Sequence, residues 1–204
     1  MKIYFDTKHD FFSDNNKHIN NCVTVKDDKK LYHYEFMIDG LTATIRYNKL
    51  DYITHAVDFY HDKNPYIYIY KTEDDTYYQA FEEIHTFKLP IDILQPTKFF
   101  IDKSNYDLIE KNIDVDNEFY FPVNIINDEY VLLDGHTLLS VLANNYKKMV
   151  NVYIVDYEPE IIDFIYIAKE QNIRNIKSVN ILKHEEYEKL WNMFLNEYNE
   201  KIDE

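Results

Sequence analysis

The stretch that decides the fold reads Tyr130-Val131-Leu132-Leu133-Asp134-Gly135-His136-Thr137-Leu138-Leu139-Ser140-Val141-Leu142. It is an apolar strand that passes in one step into an apolar helix, and the strand is predicted to end at Leu133 or Asp134. The 204-residue chain has only two glycines, and one of them lies in this turn. Glycine is favoured where a side chain would obstruct the backbone, so Gly135 predicts a tight strand-to-helix turn.

The start of the predicted helix is a candidate anion site. The backbone N–H groups of His136, Thr137 and Leu138 have no partners within the helix. Free N–H donors and the helix dipole together favour an anion. His136 and Thr137 add side-chain donors, and the carboxylate of Asp134 is suited to hold a metal or to orient a hydroxyl group. The alternative is purely structural, with Asp134 and Thr137 capping the backbone donors themselves.

The charge balance limits what this site can serve. The formal net charge is −15, and it is unevenly distributed. Residues 1–88 carry 11 basic and 15 acidic residues, whereas residues 89–204 carry 11 and 22. Such a chain repels nucleic acid on average, which argues against a nucleic-acid surface and requires any anion site to be local. Only Arg46 and Arg174 are arginines. Arg174 is either a cation that reaches the site or a surface residue.

Cysteine content and hydropathy predict a cytoplasmic protein. Cys22 is the only cysteine, which excludes an internal disulfide and suits a reducing compartment. The first residues contain no apolar signal region, and no apolar run reaches the length of a membrane span.

The first 88 residues predict a small α+β unit of unknown role. Residues 13–17 read as a loop. Two β-rich runs joined by Asp39-Gly40 predict a hairpin with a type I′ turn. Apolar positions at helical spacing follow over residues 48–62, and tyrosine-rich strand patterns follow those.

Residues 89–157 predict a mixed α/β domain, and residues 158–204 predict a helical extension. The predicted elements include a turn at Gln95-Pro96, a helix capped by Ser104, and a helix end at Asn144-Asn145 in the left-handed conformation. The last predicted helix begins near His184, and His184 is predicted to be a helix-start residue rather than a metal ligand. The fold class of the whole chain is therefore α+β.

The second region resembles the ParB/sulfiredoxin-like superfamily. The resemblance rests on three runs and their order: Leu89-Pro90-Ile91-Asp92-Ile93-Leu94-Gln95-Pro96-Thr97, then Phe121-Pro122-Val123-Asn124-Ile125-Ile126, then Leu132-Leu133-Asp134-Gly135-His136-Thr137. It continues through Asn145 to Asp156, with asparagine where relatives often have glycine. The tail from His184 to Trp191 is similar to the extension of uncharacterised bacterial ParB-like proteins.

The branch that is most similar contains the free serine kinases, in which an Asp-Gly-His-Thr box binds nucleotide phosphates. This resemblance implies a nucleotide-dependent kinase or nucleotide hydrolase, with ATP, ADP or CTP and Mg²⁺ as ligands. It implies catalytic roles for Asp134 and His136 and a metal role for Asp134. It implies that the nucleotide is bound by Gly135, His136, Thr137 and Leu138.

Several departures from the family pattern favour binding over turnover. Sulfiredoxins place a cysteine beside the Gly-His pair, and ParB proteins carry a Gly-Glu-Arg-Arg box and a helix-turn-helix, none of which is found here. Leu138 replaces the arginine that usually follows the kinase box, and Thr97-Lys98-Phe99-Phe100 replaces the stretch with the glutamate base. Losing a general base lowers the rate about 10²–10⁴-fold. The alternative function is a non-catalytic acidic interaction protein that binds another protein.

Overall fold

The computed structural model describes residues 1–6 and 21–202, so the loop predicted at residues 13–17 lies outside the described residues. The chain divides into two compact units, Met1–His85 and Thr86–Glu204. Both units combine helices and strands, which confirms the α+β class. None of the helices within the described ranges combines the length and the apolar character needed to cross a bilayer.

The first unit is a six-stranded sheet with one helix. The strands follow the chain order, and every neighbouring pair is antiparallel except the parallel pair of the fourth and fifth strands. The elements are β1 (Lys2–Phe5), β2 (Cys22–Asp27), β3 (Lys30–Asp39), β4 (Thr42–Tyr47), α1 (Ile53–Lys63), β5 (Ile69–Thr72) and β6 (Tyr78–Ala80).

Aromatic side chains fill the core of this unit. Tyr34, Phe36 and Tyr70 are fully buried on the sheet. Tyr60 of α1 stacks on Phe36, with ring centroids 4.0 Å apart and planes 8° from parallel. The tyrosine-rich strands are therefore explained by packing, since such ring pairs add about 0.5–1.5 kcal/mol beyond the area they bury.

The predicted hairpin is present, but its turn type was wrong. Asp39 pairs with Thr42, which makes Gly40 and Leu41 the two turn residues. Gly40 has φ +57°, whereas Leu41 is not among the residues with positive φ. A type I′ turn requires positive φ at both positions, so this pattern fits a type II′ turn with glycine first.

The second unit holds a five-stranded mixed sheet and a separate two-stranded parallel ladder. Its elements are β7 (Thr86–Pro90), β8 (Gln95–Pro96), β9 (Phe100–Asp102), α2 (Lys103–Asn112), β10 (Tyr120–Ile126), β11 (Glu129–Leu132), α3 (His136–Asn144), β12 (Met149–Ile154), α4 (Ile161–Glu170), β13 (Asn180–Leu182) and α5 (His184–Ile202). The large sheet has the order β7-β12-β10-β11-β8, and the ladder joins β13 to β9.

Three local predictions in this unit need correction. Gln95 and Pro96 form a short strand parallel to β11 instead of a turn. The cap of α2 is Asp102, whose carboxylate accepts the backbone N–H of Ser104, so Ser104 is a capped residue rather than the cap. Strand β11 ends at Leu132, one or two residues before the predicted end at Leu133 or Asp134.

Tyr146, and not an asparagine, closes α3. Tyr146 has φ +64°, whereas Asn145 has φ −90°. The N–H of Lys147 donates to the carbonyl of Leu142, and the N–H of Tyr146 donates to that of Ala143. These two bonds define a Schellman motif, which glycine fills most easily because the left-handed conformation costs other residues about 1–2 kcal/mol.

Tyr146→Gly is expected to stabilise the second unit by about 0.5–1 kcal/mol. The substitution removes left-handed strain, offset in part by the greater freedom of glycine in the unfolded chain. The tyrosine side chain is 90% exposed, so little packing is lost. Denaturant unfolding followed by the fluorescence of Trp191, the only tryptophan, measures the change. Asn145→Gly is the matched control and should give no gain. Equal gains from both variants would contradict the assignment of strain to Tyr146.

Candidate functional site

The predicted turn forms the start of α3. Gly135 is the N-cap with φ +79°, and its carbonyl accepts the N–H of Leu139 at 2.9 Å. No side chain caps this helix among residues 1–6 and 21–202, so Asp134 and Thr137 do not satisfy the first backbone donors. The N–H groups of His136 and Thr137 and that of Leu138 are left to an external acceptor.

Gly135 is required by space as well as by backbone conformation. A Cβ atom added at Gly135 would lie 2.8 and 2.9 Å from Cδ1 and Cε1 of Phe121. Phe121 is a fully buried residue of β10, so its ring cannot swing into solvent. The turn therefore rests directly on a core aromatic ring, and this contact fixes the position of the helix start.

The imidazole of His136 is part of the core. Its Nε2 accepts the backbone N–H of Thr97 at 3.0 Å, and the side chain is 1% exposed. Burial, followed by the nearby charge of Lys98, lowers the pKa of His136 to about 3. The ring is therefore neutral at physiological pH. Its Nδ1 has no hydrogen-bond partner among the described residues.

Lys98 is a positively charged residue that was not among the predicted site residues. It follows Thr97, and its ammonium group lies close enough to His136 to depress the pKa of the imidazole. Within the part of the chain that the structure describes, no ion pair involves Lys98. The signal in the sequence is Lys98 itself, in the stretch Thr97-Lys98-Phe99-Phe100 that lacks a glutamate base.

The remaining predicted residues lie around the same turn. Asp134 is exposed, and Thr137 and Leu138 are partly exposed. Arg174 is exposed, in keeping with a surface arginine. No group of three or more metal-ligating side chains is found in the described ranges. The arrangement therefore offers backbone donors and one ammonium group to an anion, while the imidazole is buried and its Nε2 already bonded.

A second polar cluster joins the starts of two helices. The buried carboxylate of Asp102 accepts the N–H of Ser104 at 2.9 Å and Nδ1–H of His184 at 2.8 Å. Nε2 of His184 lies 3.4 Å from Glu188. The hydrogen bond to Asp102 and the surrounding carboxylates raise the pKa of His184. Burial alone would raise the pKa of Asp102, but the hydrogen bonds from His184 and Ser104 outweigh it and the pKa is lowered. His184 is a helix-start residue, as predicted.

Comparison with known proteins gives distant structural likenesses. No protein family matches by sequence pattern, and no curated protein matches. The crystal structure of protein Atu1540 from Agrobacterium tumefaciens is similar to 49% of this chain at 17% identity, with a TM-score of 0.38. The C-terminally truncated chromosome-partitioning protein ParB from Caulobacter crescentus, complexed with CTP-gamma-S, is similar to 45% at 18% identity, with a TM-score of 0.29. The chain spans 63% and 54% of those two chains. These neighbours include a ParB protein, and the likeness is low in both identity and TM-score.

Proposed function

We propose that the start of α3 binds a phosphate-containing ligand, with a nucleotide as the ligand class. The observation that carries the proposal is the helix start itself, where the three backbone N–H groups of residues 136–138 have no capping side chain among the described residues. Such donors, aligned with the positive end of the helix dipole, bind phosphate oxygens. The nucleotide class comes from the Asp-Gly-His-Thr box of the family resemblance.

Charge at the turn supports a phosphate despite the acidity of the chain. The charge of Lys98 contributes to the lowered pKa of His136, and Lys98 forms no ion pair within the described ranges, so its ammonium group is proposed to pair with a ligand oxygen. Thr137 adds a partly exposed hydroxyl donor. A hydrogen bond to a charged group contributes about 1.5–3 kcal/mol. Lys98 thus takes over part of the charge lost through Leu138.

Asp134 is the residue proposed to hold the Mg²⁺ of a bound nucleotide. Its exposed carboxylate is a single oxygen-donor group, which fits Mg²⁺, because this ion usually takes one or two carboxylates and completes its coordination with phosphates and water. The ion would neutralise phosphate charge beside an otherwise repelling carboxylate.

Binding, rather than turnover, is the function that the site supports best. His136 was assigned a catalytic role by resemblance, but Nε2 is already engaged by Thr97 and the ring is shielded from solvent. We propose instead that the partly exposed Thr137 and Leu138 contribute their backbone N–H groups to the ligand, while His136 supports the turn. The stretch from Thr97 to Phe100 contains no carboxylate base. The second candidate, an acidic protein that binds another protein, rests on the net charge of −15 alone.

Lys98→Ala is expected to weaken phosphate binding about 10-fold, the factor that corresponds to losing about 1.4 kcal/mol. Calorimetric titration of the full chain with inorganic phosphate, ATP, ADP and CTP, each with and without Mg²⁺, measures this. Lys148→Ala is the matched control. It removes one exposed positive charge beyond the opposite end of α3 and should leave the affinity unchanged. Absence of saturable binding of every probe at millimolar concentration would contradict the proposed function and favour the protein-binding alternative.

A further inference from the structure

We infer that His136 is a positioning residue, which holds the backbone of Thr97 and Lys98 against the start of α3 through a neutral imidazole carrying its proton on Nδ1. The importance of this arrangement for ligand binding rests on the proposed function. The arrangement itself follows from hydrogen-bond geometry. It gives the most buried side chain of the box a role that needs no contact with the ligand.

The direction of one hydrogen bond fixes the state of the ring. Nε2 of His136 lies 3.0 Å from the backbone N of Thr97 and 3.1 Å from its Oγ1. A backbone N–H can only donate, so the first contact requires a lone pair on Nε2, which the Thr97 hydroxyl can share as a second donor. The single proton of a neutral imidazole must then lie on Nδ1.

Thr97 is held on both sides of the turn. Its hydroxyl donates to the carbonyl of Leu132, the last residue of β11, at 3.0 Å. Its backbone N–H donates to His136, the first residue of α3. The segment that leads to Lys98 is therefore attached to the strand before the turn and to the helix after it. Because Lys98 is the next residue, these two bonds limit where its ammonium group can lie relative to the helix start.

The side chain of residue 136 must supply a hydrogen-bond acceptor for the backbone N–H of Thr97, and filling the space of the ring is not enough. Thr97 is 3% exposed, so its N–H would be left buried and unpaired if the side chain of residue 136 offered no acceptor. Nδ1 of His136 has no hydrogen-bond partner among the described residues. The polar contacts of the ring are therefore made through Nε2, to Thr97. Gln and Met form a matched pair for a test, since they are similar in length and only Gln carries an acceptor.

The deciding experiment is nuclear magnetic resonance on the full chain combined with phosphate titration. We expect the ¹⁵N spectrum of the wild-type imidazole to show Nδ1 protonated and Nε2 unprotonated, and the Thr97 amide to be protected from hydrogen exchange. His136→Gln should keep this protection and bind inorganic phosphate more tightly than His136→Met. His136→Met should lose the protection and bind about 10-fold more weakly, as expected for a loss of about 1.4 kcal/mol.

The outcomes separate this inference from the proposed function. An Nε2–H tautomer, or a His136→Met variant with a protected Thr97 amide and unchanged phosphate affinity, would overturn the positioning role. If the wild-type protein does not bind phosphate but shows the expected tautomer and protection, the proposed function fails while the positioning role of His136 stands. The wild-type spectrum decides the tautomer even if a variant folds poorly.

Discussion

Gly135→Ala should destabilise the second unit by about 2–5 kcal/mol. Left-handed backbone costs a non-glycine residue about 1–2 kcal/mol, and forcing extra carbon into a packed core costs about 1–3 kcal/mol. Both apply, because Gly135 has φ +79° and the new Cβ would lie 2.8 Å from the ring of buried Phe121. Small domains are stable by only about 5–15 kcal/mol, so this is a large share. Denaturant unfolding followed by Trp191 fluorescence, which reports on α5 in the same unit, measures the loss.

The other glycine provides the comparison. Gly40 also has positive φ, +57°, but nothing lies within 4 Å of the position of an added Cβ. Gly40→Ala should therefore show only the backbone strain, about 1–2 kcal/mol, as faster hydrogen exchange in β3 and β4. Phe121→Leu should recover part of the loss in the Gly135→Ala background, since it removes the clashing ring atoms. If alanine at the two positions costs the same, contact with Phe121 is not what requires glycine.

Asp102→Ala is the second substitution with a large expected effect. It removes the cap of α2, which costs about 0.5–2 kcal/mol, and it also removes the acceptor for His184 at the start of α5. Asp102→Asn is the matched control, because asparagine caps helices as well as aspartate but carries no charge. We expect Asp102→Ala to lower the unfolding midpoint reported by Trp191, and Asp102→Asn to lower it less.

The same pair predicts a pH dependence with a definite sign. The pKa of His184 is raised above its usual 6.5, so its contribution to stability is complete below pH 6.5 and is lost as the pH rises through the raised value. The pKa of Asp102 is lowered below 3.8, so its contribution is complete above pH 3.8 and is lost as the pH falls through the lowered value. Stabilisation by the pair is therefore greatest between about pH 4 and 6.5.

Comparison with His184→Gln isolates this dependence from the other titrating groups. Besides Asp102, the groups whose charges bear on His184 are Glu185 and Glu188 of its own helix. The wild-type protein should lose its stability advantage over the variant as the pH rises above about 6.5, measured as the difference between their unfolding midpoints. A difference that stays constant across this range would rule out the charged pair as a contributor.

Local pattern was enough to predict the strand, turn and helix at the centre of the second unit. Apolar strand residues lead directly to Gly135 and the apolar stripe of α3, and each of these signals lies within a few residues of the next. The unpaired N–H donors at the start of α3 were likewise predictable, because such donors are a property of every helix start.

The side-chain contacts between residues far apart in the sequence could not be predicted in this way. Thr97 and His136 are 39 residues apart, and Asp102 and His184 are 82 apart. Periodicity carries no information about such pairs. The imidazole of His136 was expected to face the ligand, but it is buried and bonded to Thr97. Tyr146 was missed as the residue that closes α3, because tyrosine rarely adopts the left-handed conformation that it has here.

The parallel ladder of β9 and β13 has a consequence for how the second unit is made. Phe100 pairs with Asn180, so strand β9 cannot form its ladder until residues synthesised 80 positions later are present. Contacts this distant in sequence form slowly, because a long loop must close before they stabilise anything. During translation, the strands of the five-stranded sheet emerge before β13, which completes the two-stranded ladder. Asp102 likewise remains without His184 until the start of α5 has left the ribosome.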